Sequence, residues 1–316
     1  MSNSTHAIDP AFARLPRITI SKNAWLLRAL SLLVSCSRLF HRWGHGVAVN
    51  KHFIPGRDGN RIKVLEIAPK SLSGTAPAIV YFHGGGFFMS YGAGHLKQAE
   101  AYAESLQVRV YFVAYRLATK VAFPGPLNDC VSALDWVYDN ALGLQVDSER
   151  IAVMGDSAGG CLAASVAQQA FDESHAAGLA QKIRTQLLVY PVIDSDCKTK
   201  SATEFHDTPL WNAHNNVVMW SVYLRDVTYP GVPPQYASPM HRNDYQGLAP
   251  AYIESVEFDP LRDEALAYGD ALSSAGVEVR QAMIGAAVHG YDHVDCAISK
   301  RAKSERLLHM KALLCD

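Results

Sequence analysis

From residue 47 onward, short apolar runs alternate with stretches whose apolar positions recur every three to four residues. The runs are AIVYFH (78–83), VRVYFVAY (108–115), RIAVM (150–154), TQLLVYPV (185–192), AYIESVEF (251–258) and VEVRQAMI (277–284). Largely apolar runs of this length fit buried strands, as in a parallel sheet covered by helices. Helical periodicity lies between most of them, for example over 94–106, 127–141, 158–171 and 261–275. Upstream, VAVNKHFIP and RIKVLEIAP flank Gly56-Arg57-Asp58-Gly59-Asn60, which predicts a hairpin and an antiparallel start to the sheet. The alternation predicts an α/β fold, with helices on both faces of a mostly parallel central sheet.

Two segments depart from that rhythm. Between residues 194 and 252 lies TPLWNAHNNVVMWSVYLRD, where Trp211, Val217, Val218, Trp220, Tyr223 and Leu224 predict helix. A structureless loop of that length is uncommon in a compact domain, so an inserted lid is expected. Near the N-terminus, Trp25, Ala29, Leu32, Leu33, Cys36 and Phe40 recur at helical spacing and form one stripe. Leu33-Val34-Ser35-Cys36 has the look of a lipoprotein cleavage site. Against that, Arg28 interrupts the apolar run, and Asp9, Pro10 and Pro16 precede it. The run is also too short to span a bilayer, so an amphipathic helix without stable membrane insertion is expected.

Hydrophobic residues at 49% and charged residues at 19% are ordinary for a globular protein able to bury a real core. With 29 Lys and Arg against 30 Asp and Glu, no basic tract marks a nucleic-acid partner. Six cysteines without a Cys-x-x-Cys pair argue against a zinc ribbon or a disulfide framework. Reduced thiols in a cytoplasmic chain are the expectation. Oligomeric state stays open, a homodimer included.

The chemistry concentrates at IAVMGDSAGGCLAAS (151–165). Gly155-Asp156-Ser157-Ala158-Gly159 matches G-x-S-x-G at the junction of an expected strand and helix, the context of a nucleophile elbow. A serine hydroxyl needs a base to take its proton and a third group to orient that base. In this arrangement the acid and then the histidine follow the serine in the chain. His289 comes just after the last strand run, and Asp259 directly follows the one before it. Pro260 suits a first helical turn, so Asp259 also reads as a plain N-cap. His289, His293, Asp292 and Asp295 together raise a metal-cluster reading, which the missing Glu of H-E-x-x-H and the helix-weakening Gly290 count against. His83-Gly84-Gly85-Gly86 after the strand at 78–83 offers backbone N–H donors for an oxyanion, joined by the N–H of Ala158.

Taken together, HGGGF (83–87), YRLA (115–118), GDSAGG (155–160), ASP (237–239), EFDPLRDE (257–264) and HGY (289–291) resemble the hormone-sensitive-lipase-like carboxylesterases of the α/β-hydrolase superfamily. The resemblance covers about residues 60 to 295. It implies an α/β-hydrolase fold with a helical cap, Ser157 as nucleophile, His289 as base, Asp259 as its orienter, and Gly85, Gly86 and Ala158 as oxyanion donors. It implies a cap from residues 1–45 and 194–228 over a core of 46–193 and 229–316, one catalytic domain in all. The implied activity is hydrolysis of small-molecule carboxylic esters with short to medium acyl chains, without metal or organic cofactor. An amide hydrolase with the same triad, or a ligand-binding homologue that kept the pocket alone, are the rivals. Thr119-Lys120 and Tyr291 depart from the group's usual Pro-Glu and Phe, which puts the pocket wall in question.

Overall fold

The runs that lack polar interruption form the middle of the sheet. The computed structural model describes residues 7–227 and 236–315. Eight strands, β1 (Val47–Pro55), β2 (Arg61–Pro69), β3 (Ala76–Phe82), β4 (Arg109–Ala114), β5 (Val146–Asp156), β6 (Thr185–Val189), β7 (Ala251–Phe258) and β8 (Val279–Val288), make one sheet in the order β1-β2-β4-β3-β5-β6-β7-β8. β1 and β2 form the antiparallel hairpin and β2 runs antiparallel to β4, while all other neighbours are parallel. Every residue of β3 and β6 is buried; β3 accordingly reads as a continuous apolar run, while the Thr185 and Gln186 side chains of β6 donate to Pro250 O and Ala249 O.

The helices are α1 (Pro10–Ala13), α2 (Ala24–Cys36), α3 (Ala93–Leu106), α4 (Gly125–Asp139), α5 (Ala141–Leu144), α6 (Ala158–Ala176), α7 (Lys200–Glu204), α8 (Ala213–Tyr223), α9 (Arg262–Ser274) and α10 (Ala297–Leu314). Leu127 and Val131 of α4, Leu162 and Val166 of α6 and Leu272 of α9 pack into one core. Leu96 and Tyr102 of α3 and Met310 and Leu313 of α10 pack into a second. The sheet is thus covered on both faces, as the alternation predicts. The pattern above leaves out α10, whose buried face includes Ser299 and Arg306 beside Ala302 and Met310. Those two polar residues break the apolar period.

The N-terminal segment and the 194–227 region meet over the carboxyl ends of the strands. Leu210 N donates to Pro16 O at 2.9 Å. Asn215 accepts from Ile20 N at 2.9 Å and donates to Ile18 O at 2.8 Å. Phe12 lies deeper, edge-on to Tyr291 in the second core. The stripe on α2 faces outward: Trp25 is 77% exposed and Leu33 71%, whereas Leu27 and Ser31 are buried. The boundary expected at residues 228 and 229 lies outside the described residues.

Candidate active site

β5 runs straight into α6, and Ser157 is the single residue between them. It holds φ 54° and ψ −121°, a conformation that costs a non-glycine residue about 1–3 kcal/mol. Such a turn closes only if strand and helix backbones nearly touch. A Cβ on Gly155 would stand 2.0 Å from Gly159 O, and one on Gly159 would stand 2.0 Å from Phe82 O. The small residues around the serine are therefore a steric requirement. Ser157 N donates to Val189 O at 2.9 Å, and Ser157 O accepts from Val192 N at 3.0 Å, which fixes the strained turn against the end of β6.

The loops after β7 and β8 bring two partners to this hydroxyl. His289 Nε2 lies 2.9 Å from Ser157 Oγ, and His289 Nδ1 lies 2.7 Å from Asp259 Oδ2. All three residues are buried. With the carboxylate accepting at Nδ1–H, the Nε2 lone pair faces the serine hydroxyl and can take its proton. Asp259 Oδ1 also accepts from Leu261 N at 2.9 Å, so the same carboxylate braces the turn into α9 and faces the imidazole.

Beside the serine, Gly85 and Gly86 follow β3 with φ +115° and +57°, in the region that favours glycine. Among the described residues, no acceptor takes the N–H of Gly85, Gly86 or Ala158. His83 is stacked on Tyr115, with centroids 4.3 Å apart, and burial pushes its pKa down to about 3. A neutral His83 donates from Nδ1 to Gly84 O at 2.7 Å, and Tyr115 OH donates to His83 O at 2.6 Å. Sequence reasoning missed Asp156, the x of the elbow motif. Its carboxylate accepts from Gly84 N at 3.0 Å and from Tyr81 OH at 2.8 Å, joining elbow and glycine loop. It also missed Tyr190, whose ring stands edge-on to His289 at 4.7 Å and whose hydroxyl donates to Asp292. The acidic x in the motif was the available signal for the first, and Tyr190 carried none.

A cavity of about 350 Å³ opens at Ser157 and His289, walled mostly by Ile18, Val34, Met89, Leu210 and Trp211. A Cβ on Gly86 would touch Trp211 Cη2 at 3.0 Å, so the indole lies directly over the glycine loop. Trp220 is not a wall residue; it packs at 5.9 Å on Phe87, on which Tyr223 stacks at 3.9 Å. Tyr291 does not reach the cavity either. Its hydroxyl donates to Glu254 and accepts from Arg306 behind the site, so this departure leaves the pocket wall untouched. Thr119 O accepts from Arg28, and Lys120 borders a separate surface hollow.

The residues of the metal-cluster reading go separate ways. His289 faces Ser157, Asp292 is buried against Arg306, and Asp295 is exposed and paired with Lys300. Burial pulls the Asp292 carboxyl up, but the Arg306 guanidinium outweighs it and holds Asp292 below the usual carboxylate range. Two other groups place ligand atoms within 4.8 Å of one another: His95, Asp156 and His293, and Asp194, Asp196 and His241. Asp156 already serves Gly84 and Tyr81, and Asp194 already faces His241 at 3.2 Å.

A model of the alpha/beta hydrolase fold family matches residues 79–293. This chain belongs to that family. Carboxylesterase NlhH of Mycobacterium tuberculosis is 36% identical to it over 239 residues, covering 75% of this chain and 73% of the relative. The ethyl acetate hydrolase of Pseudomonas putida is 32% identical, covering 74% and 73%. Among solved structures, a bacterial heroin esterase superposes with a TM-score of 0.88 at 33% identity, covering 98% of each chain. The protein is accordingly an α/β hydrolase of the carboxylic ester hydrolase class.

Proposed function

We propose that this α/β hydrolase is a serine carboxylesterase for esters with short to medium acyl chains, with Ser157 as nucleophile, His289 as general base and Asp259 as its orienter. The observation that carries the reading is the hydrogen-bonded chain Ser157–His289–Asp259 opening into an apolar cavity. Ser157 Oγ attacks the ester carbonyl carbon while His289 Nε2 takes its proton. The free N–H groups of Gly85, Gly86 and Ala158 hold the oxyanion. Collapse breaks the C–O bond, and the departing alkoxide takes the proton from His289 to leave as the alcohol. Water repeats the sequence on the acyl-enzyme, and the acid leaves.

The cavity of about 350 Å³ is at the small end for ligand pockets, which supports short to medium chains over long ones. We read residues up to 45 and 194–228, described over 7–45 and 194–227, as the cap, since Ile18, Val34, Leu210 and Trp211 from both parts wall the cavity. The absence of a disulfide among the described cysteines supports a reducing, cytoplasmic setting. No described helix is long and apolar enough to cross a membrane.

Initial rates on p-nitrophenyl esters from acetate to palmitate, with Ser157→Ala in parallel, test the reading. The expected result is a maximum at short or medium chains and a loss of at least about 10⁴-fold in kcat for the variant. Unchanged turnover in Ser157→Ala contradicts it. Turnover of anilides in preference to the matched esters would favour the amide hydrolase.

A further inference from the structure

Among the described residues nothing covers the outward stripe of α2. Trp25, Leu26, Leu32, Leu33, Leu39 and Phe40 are between 59% and 86% exposed, all within one short segment. At helical spacing Trp25, Leu26, Ala29, Leu32, Leu33 and Cys36 share one face, opposite the buried Leu27. Contiguous apolar surface of this kind marks an interaction site.

The charge around the stripe says what kind. Eight of the 29 Lys and Arg but only one of the 30 Asp and Glu, Asp9, lie in residues 1–57. That stretch carries a formal charge of +7 on a protein whose net charge is −1. Arg14, Lys22, Arg28 and Arg42 are exposed and have no carboxylate partner among the described residues. A two-fold contact between copies would set this face against itself and bring like charges together. An apolar face in a stretch with four exposed cations that lack carboxylate partners and one acid of its own, with Glu100 of α3 reaching it at His41 and Gly44, matches an anionic lipid surface.

We propose that the outer face of α2 and residues 37–40 docks the protein onto an anionic lipid surface, with Trp25, Leu26, Leu32, Leu33, Leu39 and Phe40 entering its apolar layer. At 1.5 Å per residue the 13 residues of α2 reach about 20 Å, short of the roughly 30 Å hydrocarbon core. The helix therefore lies in the surface and does not cross it. The inner side of the same helix is tied to the site: Ser31 Oγ accepts from Ser90 N at 2.9 Å, Ser37 Oγ accepts from Ala93 N at 2.9 Å, and Val34 walls the cavity. Docking brings the acyl cavity against the phase in which ester acyl chains partition.

The test is co-sedimentation of the full chain with vesicles, which does not depend on the esterase reading. The expected result is binding to phosphatidylcholine vesicles containing about one third phosphatidylglycerol, at least about tenfold stronger than to phosphatidylcholine alone. It should weaken as salt rises. The triple variant Trp25→Ser, Leu33→Ser, Phe40→Ser should lose at least about tenfold in partition. Its kcat/KM on a soluble p-nitrophenyl ester should stay within about twofold, because none of the three walls the cavity. A second variant, Arg14→Gln, Lys22→Gln, Arg42→Gln, keeps the apolar face and should lose the preference for phosphatidylglycerol. Absence of sedimentation with either vesicle overturns the proposal. So does equal sedimentation of wild type and both variants. A dimer by light scattering that the first variant dissolves, without vesicle binding, assigns the face to a second copy and overturns it too.

Discussion

Arg306→Met removes the cation at the centre of a closed buried network. Arg306 is 1% exposed, and each of its five N–H groups has an acceptor. Nε and Nη2 reach the two Glu254 oxygens at 3.0 and 2.7 Å. Nη1 reaches Asp292 at 3.0 Å and Tyr102 OH at 2.8 Å, and Nη2 also reaches Tyr291 OH at 3.0 Å. Methionine fills part of the volume but leaves the Glu254 and Asp292 carboxylates buried and uncompensated. Breaking a buried pair from one side costs about 3–5 kcal/mol. Urea unfolding at pH 7 should show that loss as a lower midpoint at similar slope. The sign with pH follows from linkage. The depressed Asp292 carboxyl contributes stability above its unfolded pKa of about 3.9, and that contribution fades as pH falls through its lower folded value. In the variant burial pushes the Asp292 carboxyl up instead, so the gap from wild type is widest near pH 7 and narrows toward pH 4. Turnover of the folded variant should fall as well, because Tyr190 bonds Asp292 and sets its ring against His289. A loss below about 1 kcal/mol, or one that is equal at pH 5 and pH 8, would refute the reasoning.

Trp211→Ala opens the wall above Gly86, so the chain-length profile should move toward longer esters, by up to about fourfold in kcat/KM per added methylene at about 0.8 kcal/mol each; an unmoved optimum removes Trp211 from the acyl wall. Gly159→Ala drives a Cβ to 2.0 Å from Phe82 O and should abolish soluble, folded protein, whereas Gly143→Ala in α5 meets nothing within 4 Å and should gain up to about 1 kcal/mol in unfolding free energy. Burial pushes the Glu264 carboxyl well above the usual range. Its folded pKa being raised, Glu264 contributes stability below its unfolded pKa of about 4.3 that is lost as pH rises, so Glu264→Gln should flatten the alkaline side of the stability profile, and an unchanged profile would contradict the assignment.

Much of the architecture is legible because its physics is local. Strands buried on both faces carry few polar residues, so the runs at 78–83, 108–115 and 150–154 mark β3, β4 and β5 within a few residues. The α/β expectation holds for the same reason. What is missed depends on contacts between distant segments. The Arg306 face of α10 looks polar until Glu254 and Asp292, from β7 and the loop after β8, are placed around it. The α2 stripe is visible as a stripe, but periodicity does not say which way it faces. Within the site, Ser157, Asp259 and His289 are named by motif and chain order, and His289 lies within hydrogen-bond distance of the other two. Asp156 is hidden as an unspecified position of the motif. Trp211 and Trp220 look equivalent in sequence, and only packing separates the cavity wall from the residue beside Phe87.

The most direct test of the central claim is stoichiometric reaction with diethyl p-nitrophenyl phosphate, followed by mass mapping of the labelled peptide. The account predicts one equivalent of nitrophenolate released per chain, a diethylphosphoryl group on Ser157 and parallel loss of esterase activity. Label on another residue, or full ester turnover in the labelled protein, would contradict it.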